Sequence, residues 1–219
     1  MPTPPNTPRT PRRPALIAGA ALAAVTVLVA LAFLGKLPLG HRQAGAVYYV
    51  VAYHYGFAFY DGNFAEVPAI EVKAGEPVTL QIVASHALPK ETVLAYSERS
   101  LHSSIGGLPP GDPQIREKLL EDFALGNIEH IVGITGLPVY VPTNVAPLLN
   151  GKPFREGGPA TLRELVERRD PAVMAVTFTP TRAGTYDVLC VDSGMDGSGT
   201  CGWGHKWMVA KGGFVVRAP

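Results

Sequence analysis

Thr185-Tyr-Asp-Val-Leu-Cys190 alternates outward and inward residues as a β-strand does, and Cys201-Gly-Trp-Gly-His205-Lys-Trp-Met208 follows after ten intervening residues. Tyr186, Val188 and Cys190 share one face of that strand, so the cysteine points inward where the strand ends. The returning loop then carries a thiolate, an imidazole and a thioether within eight residues. Gly202 and Gly204 let its backbone fold tightly around an ion. Soft sulfur donors combined with imidazole suit copper, and a weak Met ligand marks copper electron-transfer sites. A metal held between a strand end and the next loop is held rigidly, which an electron carrier needs.

Working outward, the pattern stays β. Residues 47–60 are dense in Tyr, Phe and Val. Val78, Leu80 and Ile82 alternate with Thr79 and Gln81 after a Gly75-Glu-Pro77 turn, residues 173–179 repeat the pattern, and residues 214–216 make a short last strand. Short strands with turn signals between them define a mainly β chain, a β-sandwich or small barrel. The middle differs. Asp112-Pro113 starts a helix with Ile115, Leu119 and Phe123 on one face and Gly126 at its end. Thr161-Leu-Arg-Glu164 is a capping box that opens a second helix, running to Arg169 and stopped by Pro171. Residues 109–170 therefore read as a partly helical insertion into the sandwich.

Ahead of the β region, residues 1–14 are a Pro-, Thr- and Arg-rich tail. Residues 15–35 hold no strongly polar side chain beyond Thr26, long enough to cross a membrane as one helix, and residues 36–46 form a linker. A secretory h-region is shorter and ends at a small-residue cleavage site, so the stretch reads as an uncleaved anchor. Arg9, Arg12 and Arg13 before it place the N-terminus in the cytoplasm and residues 47–219 outside the cell membrane. The first 42 residues carry five basic groups and no acid; the remaining 177 carry 14 Lys plus Arg against 18 Asp plus Glu, a net of −4. A mildly acidic outer domain attracts a cationic partner and repels nucleic acid. No basic stripe, phosphate loop or Ser/His/Asp arrangement stands out; Gly106-Gly107 and Gly157-Gly158 lack the strand–glycine–helix context.

With these residues in view, the chain resembles subunit II of the haem–copper oxidases (cytochrome c oxidase), and its last loop resembles that family's binuclear copper centre, Cu(A), with its C-x-E-x-C-x-x-x-H-x-x-M pattern. Cys201, His205 and Met208 match the second half in type and spacing. Ser100-Leu-His102-Ser-Ser-Ile resembles the V-x-H-S-F stretch that supplies the first histidine, and residues 48–60 with 70–78 resemble the aromatic strand and turn ahead of it. The similarity covers most of residues 47–108 and 173–217, and the anchor looks like the single transmembrane helix of shorter members.

The resemblance implies a cupredoxin-like Greek-key β-sandwich holding two copper ions. Such a chain is a non-catalytic electron-transfer subunit: it takes electrons from a c-type cytochrome or small copper protein and passes them to haem in catalytic subunit I. The implied metal ligands are His102, Cys190, Cys201, His205 and Met208, with Asp192 in the place of the Glu whose backbone carbonyl coordinates. Trp203 and Trp207, together with Tyr53 and Tyr55, would form the electron-input surface, or else shield the site. One departure stands out: the step from Cys190 to Cys201 is eleven residues where the family has four. The extra residues are mainly Gly, Ser and Asp, and loop closure grows costly only slowly with length, so a dithiolate bridge stays compatible. Asp192 and Gly199 then compete for the carbonyl position.

Three readings remain open at this level. Cys190 and Cys201 bridge two coppers; or Cys201, His102, His205 and Met208 make one blue-copper site in a stand-alone anchored carrier; or the cysteines form a disulfide. A copper-delivery protein is a further class. His86 competes with His102 as the remote imidazole, His54 and His130 read as packing or surface histidines, and Met174 reads as a core filler.

Overall fold

The computed structural model describes residues 45–53, 56–99, 112–124, 130–143, 145–191 and 208–219. The stretches expected as tail and anchor, and most of the expected linker, therefore lie outside the described residues. Among the described residues, no helix is long and apolar enough to cross a membrane.

Two five-stranded sheets carry the structure. In the first, β1 (Ala46–Tyr53) and β2 (Gly56–Tyr60) form a hairpin, β3 (Glu66–Val67) extends it, and β5 (Val78–Ala84) and β8 (Val173–Phe178) complete the order β3-β2-β1-β5-β8. In the second, β4 (Ile70–Lys73), β6 (His130–Ile134), β7 (Tyr140–Thr143), β9 (Gly184–Cys190) and β10 (Val209–Arg217) run β4-β10-β9-β6-β7. Both sheets are mixed: β1 pairs parallel with β5 and β10 parallel with β4, and the other pairs are antiparallel.

The first sheet is covered on both faces, which explains why residues 49–53 read as an unbroken apolar run. Val50 and Ala52 face Ile70, Val132, Val188 and Phe214 in the core between the sheets. Val51 and Tyr53 turn the other way, to a second core with Val93, Leu94, Ile115, Leu119 and Leu165. Those residues come from helices α1 (Lys90–Arg99), α2 (Ile115–Ala124) and α4 (Leu162–Glu167); α3 (Ala146–Leu149) adds Leu149. Each fully buried Val, Leu, Ile or Phe stabilises by roughly 1.5–3 kcal/mol, so both layers contribute in earnest.

Local chemistry matches the sequence at several points. Asp112 Oδ1 accepts from the Gln114 N–H at 2.8 Å ahead of α2. Thr161 caps α4 by accepting from Glu164 N–H at 3.2 Å, while Glu164 reaches back to the Ala160 N–H at 2.6 Å. In β10 a bulge at Gly212 (φ 66°) is pinned by Asp187, whose Oδ1 accepts from the Gly212 N–H at 2.8 Å. A Cβ on the next residue, Gly213, would come within 2.8 Å of the Phe59 ring, so the sheets need glycine there.

Other points differ. The last strand is longer than its apolar core Phe214–Val216, because its first half, Val209 and Ala210, pairs with β9 before the bulge. Residues 90–99 form a helix although the surrounding pattern is β, since Val93, Leu94 and Tyr96 bury against the outer face of the first sheet. Residues 130–143, within the stretch expected as an insertion, supply β6 and β7 of the second sheet; five- and four-residue strands broken by Gly and Pro give little periodicity to read. Met174 is no core filler: it is 38% exposed on edge strand β8.

A buried ion pair ties the long β7–β8 connection down. Arg155 donates to Asp170 at 2.8 Å, and Asp170 also accepts from the Ala172 N–H at 3.0 Å. Replacing Arg155 by Ala strands a carboxylate that is nearly buried. We expect a loss of about 3 kcal/mol in a urea titration; a loss below about 1 kcal/mol would show that solvent already screens the pair.

Candidate metal centre

Cys190 and Met208 meet at one end of the sandwich. Cys190 closes β9 and Met208 immediately precedes β10, and the Cys190 N–H donates to the Met208 carbonyl at 3.1 Å. Antiparallel pairing sets the row: Val209 lies opposite Leu189, so Met208 falls opposite Cys190, and Val132 of β6 lies opposite Cys190 on its other side. The Cys190 and Met208 side chains are 1% and 0% exposed, in the core between the sheets. One residue further, Val191 is 40% exposed. The chain thus passes from core to surface within a single residue. Gly133 allows this, because a Cβ there would lie 2.8 Å from the Val191 side chain.

His130 opens β6 two residues before Val132 and faces the same way, which puts it on the inner face one strand across and one pleat along from Cys190. Thr143 fixes the start of that strand. Its hydroxyl accepts from the His130 N–H at 3.2 Å and donates to the His130 carbonyl at 3.0 Å, with both residues buried. From the first sheet, β5 ends in a short 3-10 turn, Ser85–Ala87, that carries His86, also fully buried. The two imidazole centroids stand 6.3 Å apart.

The remaining sequence-derived residues divide cleanly. Asp192, Cys201, Trp203, His205, Trp207 and His102 lie outside the described residues, as do His54 and Tyr55. Tyr53 is described and is not a surface residue: it is buried and stacked on Tyr96 at 3.7 Å between centroids. Burial first, then the neighbouring Tyr60, pushes its phenol well above the ordinary value, so it stays neutral and serves packing. Among the described residues, no group of three His, Cys, Asp or Glu side chains gathers closely enough to hold a metal ion. Cys190 and Met208 supply two soft donors from the body of the sandwich, which suits copper; a full ligand set needs more. His130 escaped the sequence reading as a site residue because β6 was not legible, and without the strand its inward direction could not be derived.

No protein-family model matches this chain, and no curated protein matches it. Among solved structures, it is similar to a chain of a haem–copper terminal oxidase dimer, at 14% identity and a TM-score of 0.32, covering 93% of this chain and 99% of that one. It is also similar to a chain of the mixed-disulfide intermediate between a thioredoxin-like protein and subunit II of cytochrome c oxidase, at 8% identity and a TM-score of 0.34, covering 84% and 87%.

Thr143→Val removes the hydroxyl and keeps the shape, leaving the buried backbone N–H of His130 without that acceptor. A loss of about 1–3 kcal/mol is expected from chemical denaturation. An unchanged midpoint would mean that β6 is anchored by its other partners.

Proposed function

We propose that this β-sandwich is a membrane-anchored, extracytoplasmic copper domain of cupredoxin type, serving as the electron-input subunit of a haem–copper terminal oxidase. The observation that carries the reading is the hydrogen-bonded pairing of Cys190 with Met208. These two residues flank the segment that holds Cys201 and His205, so the sulfur-rich stretch starts and finishes at adjacent points of one sheet. Both flanking side chains are soft donors facing a dry interior.

In this reading Cys190 and Cys201 share two copper ions, and His102, His205, Met208 and the Asp192 carbonyl complete the set. Copper supplies one-electron redox chemistry when bound. The chain's own residues do the rest. The β9–β10 pair fixes Cys190 and Met208 relative to each other, and Val132, Val188 and Phe214 exclude water beneath them. A rigid, dry setting keeps rearrangement small when charge changes. The acidic balance of residues 43–219 favours a cationic electron donor, such as a c-type cytochrome, and screening by salt should weaken that encounter.

Metal analysis of the purified full-length chain tests the reading: two coppers per chain with a purple colour are expected, whereas one copper with a blue colour would assign a stand-alone mononuclear carrier. Cys201→Ser should abolish the visible copper band. A full-strength band in that variant would remove copper electron transfer through this loop altogether. Met208→Leu should keep copper bound and raise its reduction potential, measured by redox titration, because a thioether ligand is lost; an unchanged potential would exclude Met208 from the ligand set.

A further inference from the structure

A β-sheet ends in strands whose outer backbone groups lack a partner, and such edges are normally blunted by charge, proline or shortness. Three of the four sheet edges among the described residues follow that rule. β3 has two residues, β4 exposes Glu71 and Lys73, with Glu71 bridged to Arg217 at 2.9 Å, and β7 carries Pro142. The fourth, β8, does not. It is six residues long, without charge or proline, and Met174, Ala175 and Thr177 are exposed.

Two contacts show which way the backbone groups of β8 point. Thr79 and Thr177, opposite each other on β5 and β8, bring their hydroxyl oxygens to 2.8 Å. Side chains approach that closely at the non-hydrogen-bonded positions of an antiparallel ladder, where N–H and C=O turn away from the neighbouring strand. The same parity holds at Val173, whose N–H donates to the Asp170 carbonyl at 2.9 Å rather than to β5. Val173, Ala175 and Thr177 therefore direct their backbone groups to the open edge. Among the described residues, nothing on that side pairs with Ala175 or Thr177.

A second copy of the same strand fits these groups. Antiparallel pairing about a twofold axis at Val176 sets Ala175 opposite the partner's Thr177, and Thr177 opposite the partner's Ala175. Each such pair exchanges two N–H···O=C bonds, so the free donors and acceptors of both residues are used. The Val173 N–H keeps its bond to Asp170. An axis at Ala175 would instead set Thr177 against Val173, whose donor is already engaged. Met174, Val176 and Phe178 share one face of β8, so Met174 meets the partner's Phe178 and its exposed side chain is covered. No charge on the strand opposes its own image. Pro171 and Pro180 bound the pairing at either end, and an isologous contact that uses up the edge closes as a dimer.

We propose that β8 is a self-association edge, through which two copies of this chain join their first sheets into one continuous sheet in the register just described. The pairing involves neither copper nor any residue of the sulfur-rich stretch, so it stands or falls apart from the electron-transfer reading. A six-residue strand pair buries less than the roughly 1,600 Å² of a standard interface, so the association is reversible rather than permanent.

The test uses the full-length chain in detergent. Sedimentation velocity of the unmodified chain should show a concentration-dependent monomer–dimer equilibrium. Val176→Cys should give, on mild oxidation, a dimer linked through position 176, because non-hydrogen-bonded antiparallel partners bring their Cα atoms to about 4.5 Å, within disulfide range. Peptide mass mapping distinguishes that link from any through the native cysteines. Ala175→Cys, diagonal to its own image at about 7–8 Å, should not link. Thr177→Pro removes an edge donor but no ladder bond, so it should keep the circular dichroism spectrum and weaken the dimer about tenfold or more. A chain that stays monomeric, a dimer that links equally well from position 175, or a folded Thr177→Pro chain that dimerises unchanged overturns the proposal. So does a link from position 176 to a co-purifying polypeptide only, which would make the edge a site for another protein. Should Val176→Cys fail to fold, the Thr177→Pro comparison decides.

Discussion

The backbone bond from Cys190 to Met208 is the contact on which the arrangement depends. It joins the end of one strand to the start of another across a connection whose length alone would leave the two ends far apart. Closing such a connection costs chain entropy. That cost is offset by the long β9–β10 ladder, by Phe214 and Val216 packed in the core, and by the Asp187–Gly212 contact that fixes the bulge. With the register locked, one row of one sheet holds a cysteine and a methionine side by side in a dry setting. A one-residue slip of β10 on β9 would turn Met208 away from the face that Cys190 occupies.

A second constraint comes from the helical layer. Sheets with one free face show alternating sequences, but here the first sheet carries apolar residues on both faces because α1, α2 and α4 cover its back. The same layer reaches the end of the sandwich through the β7–β8 connection. Phe154 packs on His86, Pro153 and Arg155 hydrogen-bond it, and the Arg155–Asp170 pair anchors that segment in turn. A stretch that looks peripheral in the sequence thus orients a buried imidazole in the core.

Much of the strand content was legible, because Val78–Ala84 and residues 185–190 follow a period of two and are set off by Gly and Pro. The capping residues of α4 were legible for a similar reason: Thr161 and Glu164 act locally. Helix α1 was not, since Lys90–Arg99 is polar on most of its surface and its few apolar residues gain their meaning only against the sheet behind them. Strands β6 and β7 were also hidden. β6 is placed by pairing with β9, more than fifty residues away, and β7 by pairing with β6; local propensity is silent about partners so distant.

The sequence by itself determined the mainly β character, the inward direction of Cys190, and the spacing of Cys201, His205 and Met208, because period, turn chemistry and donor type are all local properties. Tertiary structure alone decided which residues are neighbours. It seated Met208 beside Cys190, put His130 on the inner face, and brought the His86 ring to 6.3 Å from it, centroid to centroid. The first contact comes from the β9–β10 ladder and the last from the packing of the two sheets, and both join parts of the chain that local sequence cannot bring together.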